Sequence, residues 1–249
     1  MKLTTGIVIV TLVTGFTLPV LAGSAPVSMS HDTFLVQREL PWVSVGLGIE
    51  LLEREIRVDG SSPGRVRANT LSGYLGVDLL HWFTVFGTLG RLEIDAIDIP
   101  GAVGALDDDR RWSFGISANV WHIDIEEPEI MTGRLSIGLI GEYTQYDASG
   151  TGEALDWTEQ AIAVPVSYFL PAEQRKLSSV HGAAFFLGPI YSHIDGDYSA
   201  GGRRTNFDEE QEIGLLAGTD VFLARNLTVG GQIQYFEKVS ANLSLRFHF

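Results

Sequence analysis

Two short clusters carry residue types that could activate water. His193-Ile194-Asp195 sets an imidazole and a carboxylate two residues apart, on one face of any extended segment. Asp95 and Asp98 offer a second pair of carboxylates far upstream. A His–carboxylate pair facing two more acids can hold a water for peptide hydrolysis, provided both segments end on the same rim of one scaffold. The competing reading is that rim acids are simply solvated, and it is preferred here. A serine nucleophile is less well supplied. Ser192 and His193 are neighbours and point to opposite faces; Ser179 and His181 share a face, with Ser178 beside them, at the far end of that segment. The histidines His31, His81, His122, His181, His193 and His248 are scattered. No phosphate loop, metal-ligand cluster or nucleophile elbow occurs, so neither a metal nor a cofactor is expected.

A different set of polar residues sits inside otherwise alternating apolar segments: Glu50, Asp78, Arg91, Glu93, Glu142, Asp220, Gln232, Gln234 and Arg246. Charges held away from bulk water need compensation. The expectation is that Arg91 and Arg246 pair with Glu50, Glu93 or Glu142, as a structural plug in preference to a selective pore.

The elements that must position these groups show period-2 alternation, the signature of strands. In the last segment Leu243, Leu245, Phe247 and Phe249 share one face, and Asn242, Ser244, Arg246 and His248 the other. Near the start Val43, Val45, Leu47, Ile49 and Leu51 oppose Ser44, Gly46, Gly48 and Glu50. Turn signals predict ten strands near 42–57, 66–80, 83–96, 111–125, 134–147, 157–169, 180–194, 208–223, 227–238 and 241–249. Eight remain if the poorly alternating third and seventh segments are not strands. Pro165 and Pro189 fall inside the sixth and seventh, where a missing N–H marks a bulge or weak point.

The chain has 249 residues, no cysteine, 28 glycines and a net charge of −14. Disulfides and thiol chemistry are excluded, and nucleic acid is disfavoured by the acidic balance. Met1-Lys2, an apolar stretch to Leu21 and Val20-Leu21-Ala22 form the pattern of a secretory signal peptide over residues 1–22, with Ala25 the alternative cleavage point. Residues 23–41 lack periodicity and are expected to be a periplasmic lead-in to a domain over 42–249. No later apolar run reaches the roughly 20 residues a membrane helix needs, so any crossing would use strands.

A soluble sandwich also alternates. Three features favour a transmembrane barrel: short connections (80–83, 224–227) against long acidic ones (97–110, 148–156, 195–207), five tryptophans at inferred strand ends (Trp42, Trp82, Trp112, Trp121, Trp157), and the final strand ending at Phe249. The positions Leu243, Leu245, Phe247 and Phe249 resemble the C-terminal recognition signal of bacterial outer-membrane proteins. With the signal peptide, the chain looks like the small outer-membrane barrels of the OmpA and OmpX type. That resemblance implies an all-β, antiparallel, up-and-down barrel in the Gram-negative outer membrane, in contact with lipopolysaccharide and delivered by the barrel-assembly machinery. The His193, Asp195, Asp95 and Asp98 set is similar in outline to that of omptin-type outer-membrane proteases, but its order and spacing differ. The function expected is non-enzymatic, structural or surface-interacting. The alternatives are a narrow cation-preferring channel, a rim protease and a secreted soluble sandwich.

Overall fold

The computed structural model describes residues 42–60, 62–99, 106–127, 131–172, 180–224 and 226–249. The expected signal peptide and lead-in lie outside them. The described residues form strand segments β1 (Trp42–Val58), β2 (Ser62–Leu80), β3 (Phe83–Asp98), β4 (Leu106–Glu127), β5 (Met131–Gly150) and β6 (Glu153–Ala163). These are followed by β7 (Val166–Pro171), β8 (Gly182–Ala200), β9 (Arg203–Glu209), β10 (Ile213–Ala224), β11 (Leu227–Tyr235) and β12 (Val239–His248).

Neighbours pair antiparallel throughout, and β1 pairs with both β2 and β12, so the hydrogen bonds close into a ring. Segments β6 and β7 are halves of one strand, since both lie between β5 and β8. Pro165 interrupts them because it has no N–H to donate. The ladder bridges the gap: the Gly138 amide donates to the Pro165 carbonyl (2.9 Å) and the Val164 amide to the Pro189 carbonyl (3.0 Å). Pro189 itself lies within β8. Segments β9 and β10 likewise run along one strand, β8, on either side of residues 210–212. The ring therefore passes through ten strands, as the alternation predicts.

Of the three stretches expected to be long loops, 148–156 and 195–207 are mostly strand, and 97–110 is strand at 97–98 and 106–110 among its described residues. The 148–156 region turns at 151–152 and the 195–207 region at 201–202, while β4 already begins at Leu106. Positive φ makes such tight turns: Asp59 and Gly60 (47° and 72°) join β1 to β2, and Gly201 and Gly202 (56° and 82°) join β8 to β9. The β11–β12 hairpin turns earlier, at 236–238. Past it β9 reaches β1 directly, with Ile56 opposite Glu209 and Val58 opposite Phe207.

The extra strand length carries a reversed pattern. On β1 the outward residues Val45, Leu47 and Ile49 oppose buried Ser44 and Glu50, and further on outward Glu53, Glu55 and Arg57 oppose buried Leu52, Ile56 and Val58. Strand β2 repeats this, with Leu71, Leu75 and Leu79 outward over Ser72 and Asp78, then Arg65 and Arg67 outward over Val66 and Ala68. The ring is thus apolar outside and polar inside over one stretch, and the opposite beyond it. Beyond the belt, Leu52, Ile56, Val66, Leu92, Tyr146, Leu155, Trp157, Ile194 and Phe207 pack as one internal core. Trp157, expected at an interface, is 3% exposed and stacks on Tyr146 (centroids 4.3 Å, 8° between planes). Trp112 and Trp121 face outward within β4 and are not at its ends, while Trp82 occupies the β2–β3 turn.

Candidate functional site

Alternation sends every second side chain of each strand to the interior, so ten strands converge their polar residues on one axis. Two arginines organise the centre. Arg54 of β1 donates to Glu159 of β6 (2.8 Å) and to the Gln234 side-chain oxygen (3.3 Å), with Glu209 3.5 Å away. Its guanidinium lies 3.9 Å from the Phe236 ring centroid, a cation–π contact. Tyr146 and Ser192 also donate to Glu159, each at 3.0 Å, completing that carboxylate's shell.

Arg111 of β4 stands 3.2 Å from Glu50 and 3.8 Å from Glu142, and donates to the Thr88 hydroxyl at 3.1 Å. A cavity of about 20 Å³ separates the two arginine clusters, bounded by Glu50, Arg54, Arg111, Glu142, Tyr146 and Glu159, among others. That is room for about one water molecule. Nearer the chain end Arg246 donates to Asp220 (2.6 Å), Thr84 donates to Asp78 (2.6 Å), and His248 lies between Ser44 (2.8 Å) and Thr228 (3.1 Å).

Of the charges expected inside, Glu50, Asp78, Glu142, Asp220 and Arg246 face the interior and are buried, as do Gln232 and Gln234. Arg91 and Glu93 are exposed on the outer face, with inward Leu92 between them. The expectation failed there because it carried the belt's polarity past the point where the pattern reverses. The partners differ too: Glu50 and Glu142 meet Arg111, and Arg246 meets Asp220. Alternation alone missed Arg54, Arg111 and Glu159, which lie beyond the segments where polar-inward was the rule. The signal that could have found them is parity: Arg54 shares the face of Glu50 on an unbroken strand.

Beyond the apolar belt, burial pushes the Glu209 carboxyl up to about 7, against the opposing pull of Arg54. Its ion pair with Arg54 is longer than that of Glu159, so it is the less compensated of the two acids.

The water-activating set is not assembled. His193 and Asp195 are on β8, and Asp95 and Asp98 on β3, with three strands between them in the ring. Exposed Asp95 accepts a hydrogen bond from Asn69 (2.8 Å), and His193 meets Glu212 (2.8 Å) outside the ring. Ser178 and Ser179 lie outside the described residues. Among the described residues, carboxylate oxygens of Glu55, Glu210 and Glu237 come within 4.8 Å of one another, but Lys238 already holds Glu55 at 2.6 Å. The four C-terminal positions Leu243, Leu245, Phe247 and Phe249 all project outward from or beside β12.

No family profile matches the chain, and no curated protein is similar to it in sequence. Among solved structures it is similar to one described as "Asymmetric conductivity of engineered proteins", at 9% identity and a TM-score of 0.19, over 84% of this chain and 98% of the other. It is also similar to a variant of the Rhodopseudomonas blastica porin, at 11% identity and a TM-score of 0.16, over 84% and 100%. At such TM-scores the likeness to bacterial porins is weak and decides neither pore nor function.

Proposed function

We propose that the chain is an outer-membrane β-barrel with a structural or surface-interaction role, its lumen closed by charged and aromatic side chains. The observation that supports this reading is the reversal of polarity along single strands. Water demands an apolar interior and a polar surface, and that is how the strands are built from Leu52 onward and before Thr70. Where the pattern reverses, β1 carries apolar residues outward from Val43 to Leu51, nine residues. A tilted strand needs roughly 9–11 to cross a bilayer. No soluble surface calls for such a belt, which recurs on β4 (Phe114, Ile116), β8 (Phe185, Leu187) and β12 (Leu243, Leu245). In this reading residues 1–22 are the cleaved export signal, the outward Phe249 row serves recognition by the assembly machinery, and the extensions beyond the belt stand outside the cell. The role is non-enzymatic.

The lumen reading rests on its contents. Phe86 and Phe186 fill the lumen between outward belt residues, Phe236 lies against Arg54, and the Arg54 and Arg111 clusters occupy the rest. Heat-modifiability tests the barrel. The protein, extracted in mild detergent, is expected to migrate faster unboiled than boiled; no shift, with recovery in the soluble periplasmic fraction, would leave a secreted sandwich. Planar-bilayer recording tests the plug. A silent bilayer is expected, whereas steady cation-selective steps would replace the plug with a narrow channel, consistent with more buried acids than arginines.

A further inference from the structure

Immediately beyond the belt on β3 and β4, two arginines face each other outside the ring. Arg91 and Arg110 are direct cross-strand partners, two rungs beyond the Leu89–Trp112 pair and therefore on the same face. Leu89 is 71% exposed and Trp112 39%, and both arginines are exposed on the same outer face. Trp112 also packs against outward Tyr143 at 5.7 Å, an aromatic pair at the edge of the belt. Like charges placed directly opposite destabilise a strand pair. Elsewhere on the outer face Arg57 pairs with Asp208, Arg67 with Glu53 and Arg204 with Asp197. Among the described side chains, Arg91 and Arg110 make no ion pair. The acids nearest by register are Glu93, two residues along β3, Asp108, two residues before Arg110 on β4, and Asp147, opposite Arg110; Asp147 accepts from Gln145 at 2.9 Å.

We infer that Arg91 and Arg110 clamp the phosphate of a lipid headgroup in the leaflet that meets the strand extensions. The inference rests on the membrane reading above. Guanidinium forks match phosphate oxygens in bidentate fashion, and an anion between the two would offset their repulsion. The position suits a lipid more than a soluble anion. Directly beneath lie an exposed leucine and a tryptophan that would contact acyl chain and interface, where aromatic residues gather.

The test is native mass spectrometry of the full chain in detergent, with a bis-phosphorylated glycolipid, its dephosphorylated form and phosphatidylcholine as probes. Stoichiometric retention of the phosphorylated glycolipid alone is expected. Retention should fall about tenfold in the double variant Arg91→Gln/Arg110→Gln and less in Arg91→Lys/Arg110→Lys, which keeps charge but loses the fork. Equal retention of all three lipids, or no loss in the double variant, would overturn the clamp. Displacement by inorganic phosphate at matched concentration would also overturn it, as a soluble-anion site. Unboiled gel mobility of each variant separates the two readings: a chain with no mobility shift fails as a barrel, whereas a shifted chain without lipid discrimination fails only as a clamp.

Discussion

At the residue scale, the interior is a set of buried ion pairs whose value lies in mutual compensation. Buried ion pairs contribute little net stability over apolar packing, but leaving one member alone costs several kcal/mol. Glu209 is the least settled member, 3% exposed and 3.5 Å from Arg54, which Glu159 holds more closely. Its carboxyl is raised from 4.5 to about 7. The folded state therefore keeps a proton that the unfolded state gives up between those values. The contribution of Glu209 is fully present below pH 4.5, falls as pH rises, and is lost above about 7, an order-of-magnitude difference of about 3 kcal/mol. Glu209→Gln should remove that slope. Urea midpoints of the variant and the parent are expected to agree below about pH 4.5, with the variant the more stable above about pH 7. A parent–variant difference that does not change with pH would show that Glu209 is ionised throughout.

At the element scale, wall curvature depends on inward glycines covered by aromatic rings from the adjacent strand, a device that stabilises bent sheets. Gly218 of β10 lies beneath the Phe186 ring of β8 and against the Gly231 carbonyl of β11, and Gly115 of β4 lies beneath Phe86 of β3. A side chain at Gly218 would push both neighbours, so Gly218→Val should cost roughly 1–3 kcal/mol. Adding Phe186→Leu should recover part of that loss but not the part due to the carbonyl. Additive costs in that double-mutant cycle, read from unfolding midpoints, would show that ring and glycine are not coupled. Ten strands were legible in the sequence because alternation survives wherever the ladder does, even across Pro165. The strand lengths were not. Acid-rich stretches such as 195–207 read as loops, yet their acids alternate outward around Ile194, Tyr198 and Phe207, which fill the interior. The same blind spot misplaced Arg91 and Glu93, because parity identifies a face but cannot tell which face meets which solvent. That depends on what surrounds the molecule.

At the scale of the whole molecule, the proposed membrane placement makes each long strand pass between two environments, and β2 carries an outward row suited to each. Leu75 stands at the middle of the belt row and is 54% exposed, while Arg67 stands on the same face in the extension, 3.0 Å from Glu53. If the belt lies in hydrocarbon, an arginine at its middle costs roughly 2–4 kcal/mol, with the penalty shrinking toward the interfaces. Leu75→Arg should therefore lower the urea midpoint for folding into lipid vesicles by that amount. Arg67→Leu removes only an exposed ion pair, worth about 0–1 kcal/mol, and should change the midpoint little. A fully water-exposed ring predicts the reverse: Leu75→Arg would be neutral and would improve solubility, while Arg67→Leu would enlarge an apolar patch. The ratio of the two effects, measured in vesicles on the same strand, thus reports where the bilayer ends. A larger loss at Arg67 than at Leu75 would place water where this reading places lipid, and the barrel proposal would fail with it.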